Sequence, residues 1–248
     1  MCELFTMCSS SPLNPGSELS TFMEFADRNP DGWGIGSYDE NGNASIHKKA
    51  GSALTSAEYA SAAGVVTSRI VVAHLRHASR KNTVLDINAH PFLLSFLGRS
   101  WMFAHNGSIS VDYETTGDRL DATVDSTRLF EFMRDEVSTW LSRKTSRSLF
   151  QAVKRSTMRS YREFRGTANF VLTDDELVFV NKDGQHRNQI YLKVIRHRND
   201  TIQFCTKRLD PEGWVGVWKP SGHRSRLMLA SRGKLLFTSR IPASMAKA

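Results

Sequence analysis

Cysteine is scarce in this chain of 248 residues, occurring only as Cys2, Cys8 and Cys205. An odd and sparse set does not build a disulfide framework, and it suits a reducing compartment. No apolar run approaches the ~18 residues that a membrane-spanning helix needs. The N-terminus also lacks the basic start and apolar core of a secretory leader. A cytoplasmic location without membrane contact is therefore expected. Internal repeats, low-complexity tracts and long linkers are missing too, so a single domain over residues 1–248 is expected.

What is present describes an ordinary folded protein, with 40% hydrophobic and 23% charged residues. The net charge of +8 is unevenly spread. Residues 1–139 hold 11 Lys and Arg against 17 Asp and Glu, whereas residues 140–248 hold 22 against 8. A basic half can face an anionic partner. Here its charges read as scattered through strands and turns without interleaved aromatics, which favours a solvated surface and disfavours a nucleic-acid partner.

Residues 3–8 read as an opening strand. Ser17 reads as the N-cap of a helix through about Asp27, whose Leu19, Phe22, Met23 and Ala26 share one face. A strand at 33–38 turns at Asn41-Gly42 into a return strand at 44–49. After a weak helix at 56–63, Ile70 to His77 forms a strand with Val72, His74 and Arg76 on one face. Another strand, Trp101 to His105, runs into Asn106-Gly107, the commonest type I′ hairpin dipeptide. Helices at 126–141 and 146–162 follow, the first with an apolar stripe of Leu129, Phe130, Met133, Val137 and Trp140. From Gly166 onward strands dominate, near 169–173, 177–181, 189–195, 201–206, 226–231 and 234–239.

Several polar residues exceed what these positions require. Cys2 follows the initiator directly, so trimming of Met1 leaves a thiol beside its own α-amine. The amine titrates near ~8 and a thiol near ~8.5, so the two are matched for proton exchange. Arg76 ends a strand and offers a fork for a carboxylate. Asn106 and Gly107 can act either as a turn or as paired donors to an oxyanion. Asp125 can be a helix N-cap or a partner for an ammonium group. His74, His77, His90 and His105 match no metal-ligand spacing, so neither metal nor cofactor is expected. The alternating glycines of Gly32-Trp33-Gly34-Ile35-Gly36 lack phosphate-loop spacing and point to close packing instead.

In order along the chain stand Cys2, Asp31-Gly32-Trp33-Gly34-Ile35, His74-Leu75-Arg76-His77-Ala78-Ser79, Asn88-Ala89-His90-Pro91-Phe92, Phe103-Ala104-His105-Asn106-Gly107 and Asp125-Ser126-Thr127. This ordered set resembles a class II glutamine amidotransferase domain of the stand-alone type. The resemblance covers residues 2–130 by motif and the remainder more loosely. It implies an α+β fold of the N-terminal-nucleophile hydrolase type, a four-layer αββα sandwich of two antiparallel sheets between helical layers. It also implies Cys2 as nucleophile, Asn106 and Gly107 as oxyanion donors, and Arg76 and Asp125 as clamps on the α-carboxylate and α-ammonium of glutamine. Ser79 would help fix the substrate, and His77 and His90 would support the pocket. His77 departs from the Trp that many synthase-fused relatives carry there.

The expected reaction releases glutamate and ammonia, with a separate synthase as the ammonia's partner. The same clamp would serve a γ-glutamyl amide in a larger metabolite, as in a stand-alone relative of ergothioneine biosynthesis. A catalytically silent glutamine-binding module is the alternative of a different class.

Overall fold

The computed structural model describes residues 2–110, 113–114, 119–121, 124–141, 145–196, 199–217 and 225–241. Met1, whose trimming is expected to free the Cys2 amine, lies outside them. In chain order the elements are β1 (Glu3–Leu13), α1 (Gly16–Met23), β2 (Gly32–Tyr38), β3 (Ala44–Lys49), α2 (Ala57–Val65), β4 (Ser68–Arg76), β5 (Phe92–Phe96) and β6 (Arg99–Ser110). Then come α3 (Asp125–Trp140), α4 (Ser146–Glu163), β7 (Arg165–Thr173), β8 (Val178–Lys182), β9 (Tyr191–Ile195), β10 (Thr201–Cys205), β11 (Val215–Gly216), β12 (Ser225–Ser231) and β13 (Lys234–Ile241).

The strands form two antiparallel sheets, ordered β11-β9-β10-β1-β4-β2-β3 and β13-β12-β8-β7-β6-β5. Strand alternation divides the core into three apolar layers. On β4, Val71, Ala73 and Leu75 face α1 and α2, joining Leu19, Phe22 and Tyr59. Ile70 and Val72 face the other sheet and meet Met102, Ala104 and Val171. On β6, Trp101 and Phe103 point the opposite way, into Phe130, Met133 and Phe150 of α3 and α4. The result is the expected αββα sandwich.

Local expectations are revised at several points. Asn106-Gly107 is no turn: β6 continues through it to Ser110, pairing Asn106 with Asn169 and Gly107 with Ala168. Glycine is required there because a Cβ would collide with the Thr167 carbonyl. Gly34 is likewise forced by the His90 carbonyl. Helix α1 starts at Gly16 with Pro15 at its N-cap, and Ser17 lies inside it with its hydroxyl on Glu18. Trp140 leaves the apolar stripe of α3: it is 44% exposed, with the Arg155 guanidinium 5.1 Å above its ring. Part of the basic half is gathered on α4, which carries Arg147, Arg155, Arg159 and Arg162 on its outward side.

Antiparallel pairing brings the functional ends together. Glu3 at the start of β1 pairs with Leu75 near the end of β4, and Gly32 of β2 pairs with Arg76. Cys2 therefore emerges beside Arg76 at the end of a central strand pair, opposite the middle of β6.

Candidate active site

Cys2 sits half-buried just before β1, where two groups of β4's trailing segment hold its sulfur. The His77 N–H donates to Sγ at 3.3 Å, and the thiol faces the His77 carbonyl at 3.6 Å. Burial pushes the thiol above its usual range, against the opposing pull of that N–H and of Arg76. A neutral thiol of this kind needs a base to attack. The Cys2 carbonyl accepts from Asn106 Nδ2 at 2.5 Å and from Asn188 Nδ2 at 3.4 Å.

A cavity of about 270 Å³ opens in front of the sulfur. Cys2, Arg76, His77, Ser79, His90, Gly107 and Asp125 all line it. Asn106 does not; it stands behind Cys2, buried, with its amide on the Cys2 carbonyl. Of the eight residues expected at the site, seven stand on the cavity wall and one stands just outside it.

Arg76 is only 6% exposed and gives Nη1 and Nη2 to the carbonyl and hydroxyl of Thr83, each at 2.8 Å. A guanidinium carries five N–H groups, so three remain for an incoming carboxylate. Asp125 is the first residue of α3, not its cap, which is Val124. Its carboxylate accepts from the Ile109 N–H at 2.8 Å and the Ser126 N–H at 2.9 Å. These bonds aim it at the cavity and leave lone pairs for a cation.

Buried imidazoles underlie the cavity, with His90 and His105 on its wall and His74 packed behind them. His74 Nε2 donates to the His105 carbonyl at 3.2 Å, and His90 Nδ1 lies 3.0 Å from the same nitrogen. Burial drives His74 down to about 3 and His90 well below the ordinary imidazole range. His105 is lowered by burial as well, although Asp125 opposes this, and its Nδ1 meets Ser126 Oγ at 2.9 Å. The His77 ring turns away toward the Arg28 carbonyl, so this residue touches the sulfur only through its backbone. Among the described residues no group of His, Cys, Asp and Glu is arranged to hold a metal.

Three contributors lie beyond the residues expected from sequence. Thr83 orders Arg76. Asp31 ties the 77–83 segment to the start of β2 by accepting from Ala78 N–H at 2.9 Å and Lys81 Nζ at 2.6 Å. Asn188 reaches Cys2 from a loop 186 positions away. Asp31 belongs to one of the ordered motifs; the other two carry no local signal.

An αββα sandwich with a cysteine just ahead of its first strand, on the wall of a polar cavity, has the architecture of an N-terminal-nucleophile hydrolase. The family model described as glutamine amidotransferases class-II matches residues 1–203, and the chain belongs to that family. A candidate glutamine amidotransferase of Haemophilus influenzae is 26% identical over 71% of this chain and 61% of its own length. The chain thus spans less than two thirds of the curated relatives it matches. In fold it is similar to a predicted glutamine amidotransferase from Pseudomonas aeruginosa (TM-score 0.62, 19% identity, 95% of this chain and 100% of that one). It is also similar to an allosteric regulatory enzyme of purine biosynthesis (TM-score 0.72, 16% identity, 96% of this chain and 49% of that one). No helix among the described residues is long and apolar enough to cross a membrane.

Proposed function

We propose that the chain, once Met1 is removed, hydrolyses the side-chain amide of glutamine to glutamate and ammonia through a thioester on Cys2. The observation that carries this reading is the meeting of the Cys2 thiol, the Arg76 guanidinium and the Asp125 carboxylate around one small polar cavity. A free amino-acid end needs one fixed cation and one fixed anion, and both stand on the wall facing the nucleophile. The freed α-amine takes the thiol proton as sulfur attacks the amide carbon. The oxygen, now negative, accepts from the Gly107 N–H and from the second amide hydrogen of Asn106. Collapse breaks the C–N bond, and the ammonium proton is delivered to the leaving ammonia. Water then attacks the thioester with the amine again as base, releasing glutamate.

Ser79 on the rim and His90 on the floor complete the pocket. Ammonia would pass to a separate synthase. The clamp reads only the glutamyl end, so a γ-glutamyl amide with a larger leaving group is the substrate to run alongside glutamine.

Intact mass first establishes loss of Met1. That protein is then incubated with glutamine and with γ-glutamyl amides, beside Cys2→Ala. Glutamate release that vanishes in Cys2→Ala is expected. No release from any γ-glutamyl amide by the Met1-free protein would overturn the enzyme reading and leave a binding module, for which calorimetry would still register glutamine.

A further inference from the structure

The nucleophile is an end residue, and chain ends fray unless they are tied down. Backbone pairing begins only at Glu3. Beyond it, Cys2 is fixed at two atoms, the sulfur by His77 and the carbonyl oxygen by Asn106 and Asn188. Asn106 must serve two masters if one of its amide hydrogens is to meet the oxyanion. Asn188 has no such second duty in the proposed reaction.

Asn188 is itself held with unusual completeness for a loop residue. Its N–H donates to His186 Nδ1 at 3.0 Å, and its carbonyl accepts from Asn169 Nδ2 at 3.2 Å. Asn169 Nδ2 also approaches His186 Nδ1, at 3.0 Å. Two donors converge on one ring nitrogen, so that nitrogen carries no proton and the imidazole is the neutral Nε2–H tautomer. The loop start is pinned in turn. Asn169 Oδ1 accepts from the Asp183 N–H at 2.9 Å, and Asp183 accepts from the Ala168 N–H at 2.8 Å. The buried Lys182 ammonium bonds the carbonyls of both Asp183 and His186. Because Asn169 is the register partner of Asn106, this network and the Asn106 amide share one strand pair.

We infer that Asn188, seated by His186 and Asn169, is a positioning residue that anchors the Cys2 carbonyl and so sets where the N-terminal amine and thiol point. Two amides on one carbonyl fix the rotation about the Cα–C bond of Cys2. Asn106 alone would have to hold the carbonyl and the oxyanion while the end residue swings. This inference rests on Cys2 being the nucleophile, and its test separates the two claims by including a readout that needs no substrate.

The test compares Met1-free wild type, Asn188→Ala and the near-isosteric Asn188→Asp, which turns an acceptor toward the Cys2 carbonyl. With glutamine, kcat falls about ten- to a hundredfold, KM stays within about twofold, and Asp is worse than Ala. Iodoacetamide labelling of Cys2 moves the other way: it speeds up about threefold and its pH midpoint drops, because a loosened end residue leaves the burial that raises its thiol. If wild type turns over no γ-glutamyl amide, the labelling contrast still decides the positioning claim. Turnover and labelling both unchanged in folded Asn188→Ala overturn it. So does an equal slowing of both, which marks general loss of structure. Should Asn188→Ala fail to fold, the same two measurements on Asn188→Asp decide the claim by the same criteria.

Discussion

The two flanks of Cys2 are built on different principles. In front, Arg76, Asp125 and Gly107 come from β4, α3 and β6 and face an open cavity. Their value lies in charge and donor type, and each keeps bonding capacity in reserve. Behind, Asn169, Asp183, His186 and Asn188 come from β7 and the loop before β9 and are largely satisfied by one another. On the proposed reading, the front bonds a substrate that arrives, whereas the rear holds Cys2 in place. Substitutions in front should therefore change how substrate is handled, and substitutions behind should change placement, pH response and stability.

Asn106 stands behind Cys2 yet keeps one amide hydrogen for the oxyanion of the proposed reaction, so it gives the largest effect. Asn106→Ala should lower kcat about 100- to 1,000-fold, the usual cost of one oxyanion donor. Cys2 should still react with iodoacetamide, which separates lost catalysis from lost thiol. Normal turnover in that variant would remove Asn106 from the mechanism. Next come the proposed clamps. Arg76→Lys loses the fork and Asp125→Asn loses the charge, each a charge-assisted bond of ~1.5–3 kcal/mol. Either change should lower kcat/KM about ten- to a hundredfold, with weaker glutamate binding by calorimetry. An unchanged KM in both would break the contrast between the flanks.

The rear and floor should announce themselves by pH. Burial lowers His186 to about 4 and His74 to about 3, both below the ordinary value of an unfolded chain. The neutral form is thus favoured by folding. The stability this contributes is present above ~6.5 and drains away as pH falls toward those folded values. For each such histidine the loss between pH 7 and pH 5 is about 2 kcal/mol. Urea unfolding at the two pH values measures it. His186→Asn should flatten the slope by roughly one histidine's share, while Asp125→Asn should leave it steeper than that of His186→Asn.

The front was legible in sequence because its residues sit in short ordered motifs attached to periodic strands. Even there, local chemistry misled: Asn106-Gly107 has turn propensity, yet pairing of β6 with β7 across the sheet keeps it extended. Strand β5 is hidden in the sequence because the apolar Leu93 occupies an exposed position and masks the alternation of Phe92, Leu94 and Phe96. Of the rear, only the strand position of Asn169 was legible. Gly184-Gln185-His186-Arg187-Asn188 has the composition of a solvated loop, and the burial of Gly184 and His186 arises only when β8, β7 and the start of β1 are assembled. A contact between residues 2 and 188 has no local cause to detect.

The smallest effect tests whether charge alone makes a front residue matter. Lys81 pairs with Asp31 at 2.6 Å, but its side chain is 72% exposed. Such a pair contributes ~0–1 kcal/mol and is screened by salt. Burial opposes the ionised form of Asp31, and the Lys81 and Ala78 bonds together more than offset it, so its carboxyl lies below the usual range. The Ala78 N–H is buried and does not depend on salt. Lys81→Met should therefore change kcat/KM by about twofold at low ionic strength and less in roughly 0.5 M salt. Asp31→Asn weakens both bonds to the 77–83 segment that carries Thr83, and should exceed it. A Lys81→Met loss as large as that of Arg76→Lys would mean that the exposed ion pair, rather than the buried hydrogen bonds, holds the front wall in place.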